Sequence, residues 1–218
     1  MRDAQSGYFK DSLNEQIDRY LLNCLPPRDP LLWRMEEYAV ARGFPFIGPL
    51  VGELLEILAR SINAQRVFEM GSGFGFSAMH FARVLPEGGK VYCTDGDPEN
   101  EKQARQFFHD AGLTHKLEFH VGDAGEILDR TTGTFDIILM DIDKEQYPSG
   151  FRRAWPRLRV GGLFIADNLL WHGRVLTDDD QPTTRGVQEL TSLLFATPGA
   201  RTTILPLRDG VSITLKTA

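Results

Sequence analysis

The chain has 218 residues, with 24 Lys and Arg against 30 Asp and Glu and a formal net charge of −6. That length fits one domain whose core needs no disulfide or structural metal, and the acidic balance argues against a partner held mainly through phosphates, since nucleic-acid binders usually carry a basic face. Cys24 and Cys93 lie far apart without zinc or CxxC spacing, and no apolar run has the length of a membrane span or the layout of a signal peptide, so a cytoplasmic protein without membrane contact is expected.

Along the chain, Leu13, Ile17, Tyr20, Leu21 and Cys24 recur at three- and four-residue spacing behind Ser12, which predicts an N-capped amphipathic helix. A second helix is predicted from Leu31 to Ala41, opened by Asp29-Pro30, an N-cap followed by proline at the first helical position. A third runs from Pro49 to Ser61, with Leu50, Leu54 and Leu58 on one stripe. Residues 1–62 therefore read as a helical cap and 63–218 as an α/β core, within a single domain.

From Arg66 onward short β-rich runs alternate with helices, the pattern of a parallel sheet covered on both faces. Strands are predicted at Arg66 to Met70, Lys90 to Thr94, Leu117 to Val121, Phe135 to Met140 and Leu163 to Ala166, with helices such as Phe76 to Leu85 and Pro98 to Ala111 between them. A loop from Trp171 to Thr183 leads to a helix ending near Ala196. Thr202 to Leu207 and Val211 to Lys216 then flank Arg208-Asp209-Gly210, and Asp-Gly between alternating runs predicts a tight hairpin. The expected fold is a Rossmann-like, doubly wound sheet of seven strands, mostly parallel, with an antiparallel C-terminal strand.

The strongest chemical signal is Glu69-Met70-Gly71-Ser72-Gly73-Phe74-Gly75, where a strand turns into a helix. Glycines there let the backbone approach a ligand, while Phe76 stands where a dinucleotide fingerprint wants glycine and weakens a pyrophosphate reading. The acid Glu69, two residues before the first glycine, points to a ligand with a cationic group, which the amino group of S-adenosylmethionine satisfies. Asp95 closes the second strand, where a carboxylate accepts ribose hydroxyls; Asp97 is the better helix cap. Asp123-Ala124 follows the third strand and reads equally as an adenine edge or a helix cap.

The fourth strand ends in Asp141-Ile142-Asp143-Lys144 and the fifth in Asp167-Asn168. Strand ends in such sheets share one crevice, and two carboxylates with an amide oxygen suit Mg²⁺; the competing reading gives these residues only loop hydrogen bonds. The five histidines show no metal-ligand spacing, and Asp178-Asp179-Asp180 reads as a solvated loop face. No Gly-x-Ser-x-Gly anchors a hydrolase.

Taken together, these motifs resemble the cation-dependent O-methyltransferases of the caffeoyl-CoA and catechol type, within the class I S-adenosylmethionine-dependent methyltransferases. The resemblance rests on Glu69 to Ser77, Asp141-Ile142-Asp143-Lys144 with Tyr147, Gly161 to Asn168, Leu170-Trp171 with Gly173, and Leu205-Pro206-Leu207 with Asp209-Gly210. It implies S-adenosylmethionine contacts at Ile47, Glu69, Gly71, Ser77, Asp95, Asp123, Ala124 and Asp141. It also implies metal ligation by Asp141, Asp167 and Asn168, catalytic roles for Asp141 and for Lys144 as general base, and a substrate wall at Trp171. A small catechol-like acceptor and a homodimer joined through the N-terminal helices follow from the same resemblance. A metal-independent methyltransferase of this fold, a nucleic-acid methyltransferase and a non-catalytic binding protein are the alternatives. Two departures, the glycine-rich Gly71 to Gly75 and the apolar Phe44 to Gly48, leave the acceptor open.

Overall fold

The structure is a computed structural model and describes residues 16–27 and 29–218. Ser12 and Leu13, the start of the first predicted helix, lie outside the described residues. The rest of that helix, α1, covers 16–24. Of its stripe, Ile17 is 45% and Tyr20 67% exposed, Cys24 is exposed and Leu21 is half-buried. Next come α2 (Pro30–Arg42) and α3 (Gly48–Ser61); Asp29 caps α2 by accepting from the Leu31 N–H at 2.7 Å.

Seven strands follow: β1 (Arg66–Met70), β2 (Lys90–Asp95), β3 (Leu117–Val121), β4 (Phe135–Met140), β5 (Leu158–Ala166), β6 (Ala200–Leu205) and β7 (Val211–Lys216). The helices between them are α4 (Phe76–Val84), α5 (Pro98–Asp110), α6 (Ala124–Arg130), α7 (Tyr147–Ala154) and α8 (Pro182–Ala196). The sheet order is β3-β2-β1-β4-β5-β7-β6, parallel except that β7 runs antiparallel to both neighbours. Strand order reverses between β1 and β4, so the crevice for a ligand opens at their C-terminal ends.

The continuous apolar runs of the central strands follow from burial on two faces. Val67, Ile137, Leu139, Leu163 and Ile165 join one core with α2 to α5, while Phe68, Met70, Ile138, Met140 and Phe164 join the other with α6, α7 and α8. On this alternation Glu69 falls on the face of Val67, inside the first core and at the strand end. A carboxyl side chain there departs from the strand's packing rule.

β2 runs one residue past the expected Thr94, β6 lies two residues ahead of the expected Thr202 to Leu207, and two further differences are larger. The fifth strand starts at Leu158, five residues before the predicted Leu163, because Leu158 already pairs with Phe135 ahead of a register shift. The C-terminal hairpin is present, but Leu205 faces Val211, so the connection takes residues 206–210 and is not a tight Asp-Gly reversal. Those five residues are used elsewhere in the structure, as described below.

Candidate active site

A cleft of about 930 Å³ lies at the switch point. Its first wall is the turn from β1 into α4, and the backbone there is shaped by close approach. Gly71 has φ +82°, and a Cβ on it would sit 2.4 Å from the Asp141 carbonyl oxygen, so only glycine lets β1 and β4 end side by side. β2 fastens the turn: the Ser72 N–H donates to the Thr94 carbonyl at 2.8 Å, and the Gly73 N–H donates to Asp95 Oδ2 at 3.0 Å.

Asp95 is held on its other oxygen by the Asp97 N–H and Asn100 Nδ2, both at 2.9 Å, while Asp97 caps α5 through the Glu99 N–H as its spacing suggested. Asp123 caps α6, accepting from the Glu126 N–H at 2.8 Å, and lines the cleft as well, so both readings of this residue describe one side chain. Ala124, Ser77 and Ile47 also border the cleft. The apolar segment before α3 forms its roof: Phe44 meets Phe74 and Phe46 meets Phe76 edge-on, with ring centroids 5.3 and 4.9 Å apart.

Glu69 is placed differently from the expected direct contact. It is fully buried beneath the glycine turn and does not line the cleft. Burial pushes its carboxyl up to about 8, with the neighbouring Ser77 and Ser72 pulling it down; the Cys93 thiol faces Oε2 at 3.9 Å, and among the described residues Oε1 has no hydrogen-bond partner. Alternation along β1 explains the placement, since side chains of strand residues enter the cores and only the turn beyond Met70 faces the crevice. In this position Glu69 supports Ser72 and Ser77, which do line the cleft.

The second half of the cleft is built at the ends of β4 and β5. Lys144, only 8% exposed, donates to Asp141 Oδ1 at 2.7 Å and to the Ile142 carbonyl at 3.2 Å. Its Nζ lies 4.7 Å from the Tyr147 ring centroid and 5.8 Å from that of Trp171. The turn bearing Lys144 rests on α8 at Gly186, where a Cβ would come 2.0 Å from the Lys144 carbonyl oxygen. Buried Tyr147 donates its hydroxyl to the Asp167 carbonyl at 2.9 Å, tying α7 to the end of β5.

Asp167 is 7% exposed, and burial together with the neighbouring Asp141 raises its carboxyl to about 7. Asn168 follows in the left-handed region at φ 60°, and Trp171 and His172 repeat that conformation at 46° and 52°. All of Asp141, Lys144, Asp167, Asn168 and Trp171 border the cleft. Among the described residues no three His, Cys, Asp or Glu side chains form a metal-binding group, so a cation here draws on the amide of Asn168 beside two carboxylates. That donor set fits a hard divalent cation, and burial first and Asp141 second hold the Asp167 carboxyl above its ordinary value.

Sequence reasoning gave no task to Asp209 or Arg208, which also border the cleft, the latter donating to the Phe46 carbonyl at 3.0 Å. The expectation for Asp178-Asp179-Asp180 is corrected at its middle residue. Asp179 accepts from Arg174 Nε at 2.5 Å and Thr184 Oγ1 at 2.6 Å, and these contacts lower its carboxyl to about 2. An aspartate run looks solvated in sequence until the start of α8 supplies donors to one member of it.

The fold and cleft define a doubly wound α/β enzyme that binds its ligands at the carboxyl ends of β1, β2, β4 and β5. Comparison with known proteins makes the class specific. Residues 43–217 match the O-methyltransferase family model. Caffeoyl-CoA O-methyltransferase 2 of Populus trichocarpa is 34% identical over 175 residues, spanning 74% of this chain and 71% of that protein. Catechol O-methyltransferase of Niastella koreensis is 30% identical over 200 residues, spanning 88% and 90%. Among solved structures, the O-methyltransferase TomG of Streptomyces achromogenes, in complex with SAM, is 26% identical with a TM-score of 0.85, covering 93% of this chain and 96% of that one. A Bacillus cereus O-methyltransferase in complex with SAH has the same identity and TM-score, covering 93% and 97%. The chain belongs to the O-methyltransferase family and is an S-adenosylmethionine-dependent O-methyltransferase.

Proposed function

We propose that the enzyme methylates one hydroxyl of a small aromatic vicinal diol, binding S-adenosylmethionine along the β1–β2–β3 side of the cleft and a divalent cation, Mg²⁺ by its donor chemistry, at Asp141, Asp167 and Asn168. The observation that carries this reading is the meeting of two carboxylates, one pushed up to about 7 by burial and by the other, with an amide and Lys144 at adjoining strand ends. S-adenosylmethionine supplies an electrophilic methyl on a sulfonium, and a cation in the oxygen site supplies Lewis acidity toward two adjacent hydroxyls.

The chain's own residues do the remainder. The Gly71 to Gly75 turn brings backbone against the methionine end, Asp95 accepts the ribose hydroxyls, and Asp123 with Ala124 borders the adenine. Trp171 walls the acceptor ring and fixes its approach, which matters because alignment of the two reactants supplies much of the rate in a displacement. Lys144 stands between Asp141 and the Trp171 ring and, in its free-amine form, takes the proton from the attacking hydroxyl to become the ammonium that pairs with Asp141.

Turnover with S-adenosylmethionine and catechol tests the cation site directly. Methyl transfer is expected to stop in excess EDTA, to return with Mg²⁺, and to be lost in Asp167→Ala while S-adenosylhomocysteine still binds. Full turnover in chelator contradicts the cation reading and leaves a metal-independent methyltransferase. The reading extends to a homodimer in the cytoplasm. The dimer is supported by Ile17 and Tyr20, which are 45 and 67% exposed; among the described residues no helix is long and apolar enough to cross a membrane. A monomer mass by light scattering at micromolar concentration refutes the dimer.

A further inference from the structure

The pair Asp209-Gly210 stands out in the sequence and has no part in the chemistry above. The loop it lies against is costly. Asn168, Trp171 and His172 all hold left-handed backbone, and such conformations persist where the surroundings over-determine them. Antiparallel pairing of β7 with β5, which sets Ala166 opposite Ser212, delivers Asp209 and Gly210 alongside that loop.

Three hydrogen bonds then fix it. The Leu169 N–H donates to the Gly210 carbonyl at 2.9 Å, the Leu170 N–H to the Asp209 carbonyl at 2.8 Å, and the His172 N–H to Asp209 Oδ1 at 2.6 Å. Gly210 allows the approach, because its φ is +89° and a Cβ would stand 2.8 Å from the Leu170 nitrogen. The second carboxylate oxygen, Oδ2, accepts from Asn168 Nδ2 at 3.4 Å and lies 3.6 Å from His172 Nδ1. A carboxylate only accepts, so this contact decides which end of the Asn168 amide faces which way: the nitrogen turns to Asp209 and the oxygen is left for the other side.

We propose that Asp209 is a positioning residue that sets the Asn168 amide with its oxygen as a ligand for the divalent cation. The inference rests on the cation site proposed above. Partners that orient a ligand in this way typically contribute about 10- to 100-fold to metal affinity.

Mn²⁺ binding to the S-adenosylhomocysteine complex, followed by electron paramagnetic resonance, tests this with two variants. Asp209→Asn keeps the side-chain size and an acceptor for the His172 N–H but offers Asn168 an NH₂ group, so the amide at 168 is expected to turn its nitrogen to the cation. Mn²⁺ affinity should fall by about 10-fold or more, with S-adenosylhomocysteine affinity within about twofold of wild type by calorimetry. Adding Asn168→Asp should restore Mn²⁺ binding, since the introduced carboxylate offers oxygen at both ends and needs no orienting. An Asp209→Asn variant that binds Mn²⁺ like wild type overturns the proposal. So does one that loses Mn²⁺ and S-adenosylhomocysteine equally, with no recovery in the double variant, because that is the pattern of a clamp that only holds the loop. A wild type that binds no Mn²⁺ fails differently, at the cation site itself, and removes the positioning role with it.

Discussion

Replacing Glu69 by Gln isolates one consequence of burying an acid beneath the glycine turn. The carboxyl rises from an ordinary 4.5 to about 8, chiefly by burial. Between those two pH values the folded chain keeps a proton that the unfolded chain has released. Unfolding then releases a proton, and stability falls as pH rises through the window. At full ionisation the shift corresponds to about 5 kcal/mol, which is of the order of a domain's whole stability. Glutamine matches the shape and hydrogen-bonding reach of the side chain and cannot ionise. Urea unfolding without ligand at pH 5, 7 and 9 should therefore show wild type and Glu69→Gln within about 1 kcal/mol at pH 5, and the variant ahead by several kcal/mol at pH 9. Other titrating groups cancel in the difference between the two proteins. Parallel stability curves across this range refute the reasoning, since they mean that Glu69 titrates alike in both states.

Gly71→Ala adds a Cβ 2.4 Å from the Asp141 carbonyl in a backbone at φ +82°. It should cost more than about 2 kcal/mol by denaturant unfolding and weaken S-adenosylhomocysteine binding together with it. Asp136 is raised by burial but lowered further by Arg159 and the Gln65 and Arg66 N–H groups, for a net downward shift. Its contribution is thus present above the ordinary aspartate range and fades as pH falls; Asp136→Asn should lose about 1–3 kcal/mol at pH 7, with the gap to wild type closing below about pH 4 in the same unfolding assay. Asp95→Ala removes the acceptor of the Gly73, Asp97 and Asn100 donors as well as the proposed ribose contact. Its S-adenosylhomocysteine affinity should drop at least tenfold by calorimetry, and unchanged affinity contradicts the cofactor placement.

Most of the sheet is legible in the sequence because its strands are buried on both faces and end abruptly. Arg66–Met70, Leu117–Val121, Phe135–Met140 and Val211–Lys216 come out with the expected bounds, each an apolar or alternating run closed by glycine, aspartate or a chain end. Leu158–Gly162 escapes because Arg159 and two glycines break the run, and its place in the sheet depends on pairing with Phe135. The stripe on α1 has the right spacing for a helix, yet periodicity does not say what covers it.

The site divides in the same way. Residues at strand ends, such as Asp95, Asp141, Asp167 and Asn168, can be placed from chain order alone, since topology sends those ends to one crevice. The burial of Glu69 is not legible, because chain order does not reveal that the turn folds over it. The tasks of Asp209 and Arg208 depend on β7 running antiparallel beside β5 and on a five-residue connection reaching back over the cleft, neither of which a local motif encodes.

The proposed reaction is methyl transfer to one of two adjacent hydroxyls bound at the ends of β4 and β5. Its most direct test is mass spectrometry of products formed from S-adenosylmethionine, Mg²⁺ and either catechol or phenol. A singly methylated catechol is expected, absent with Asp141→Ala, and no comparable turnover of phenol. Equal methylation of phenol, or catechol turnover that survives Asp141→Ala, would contradict it.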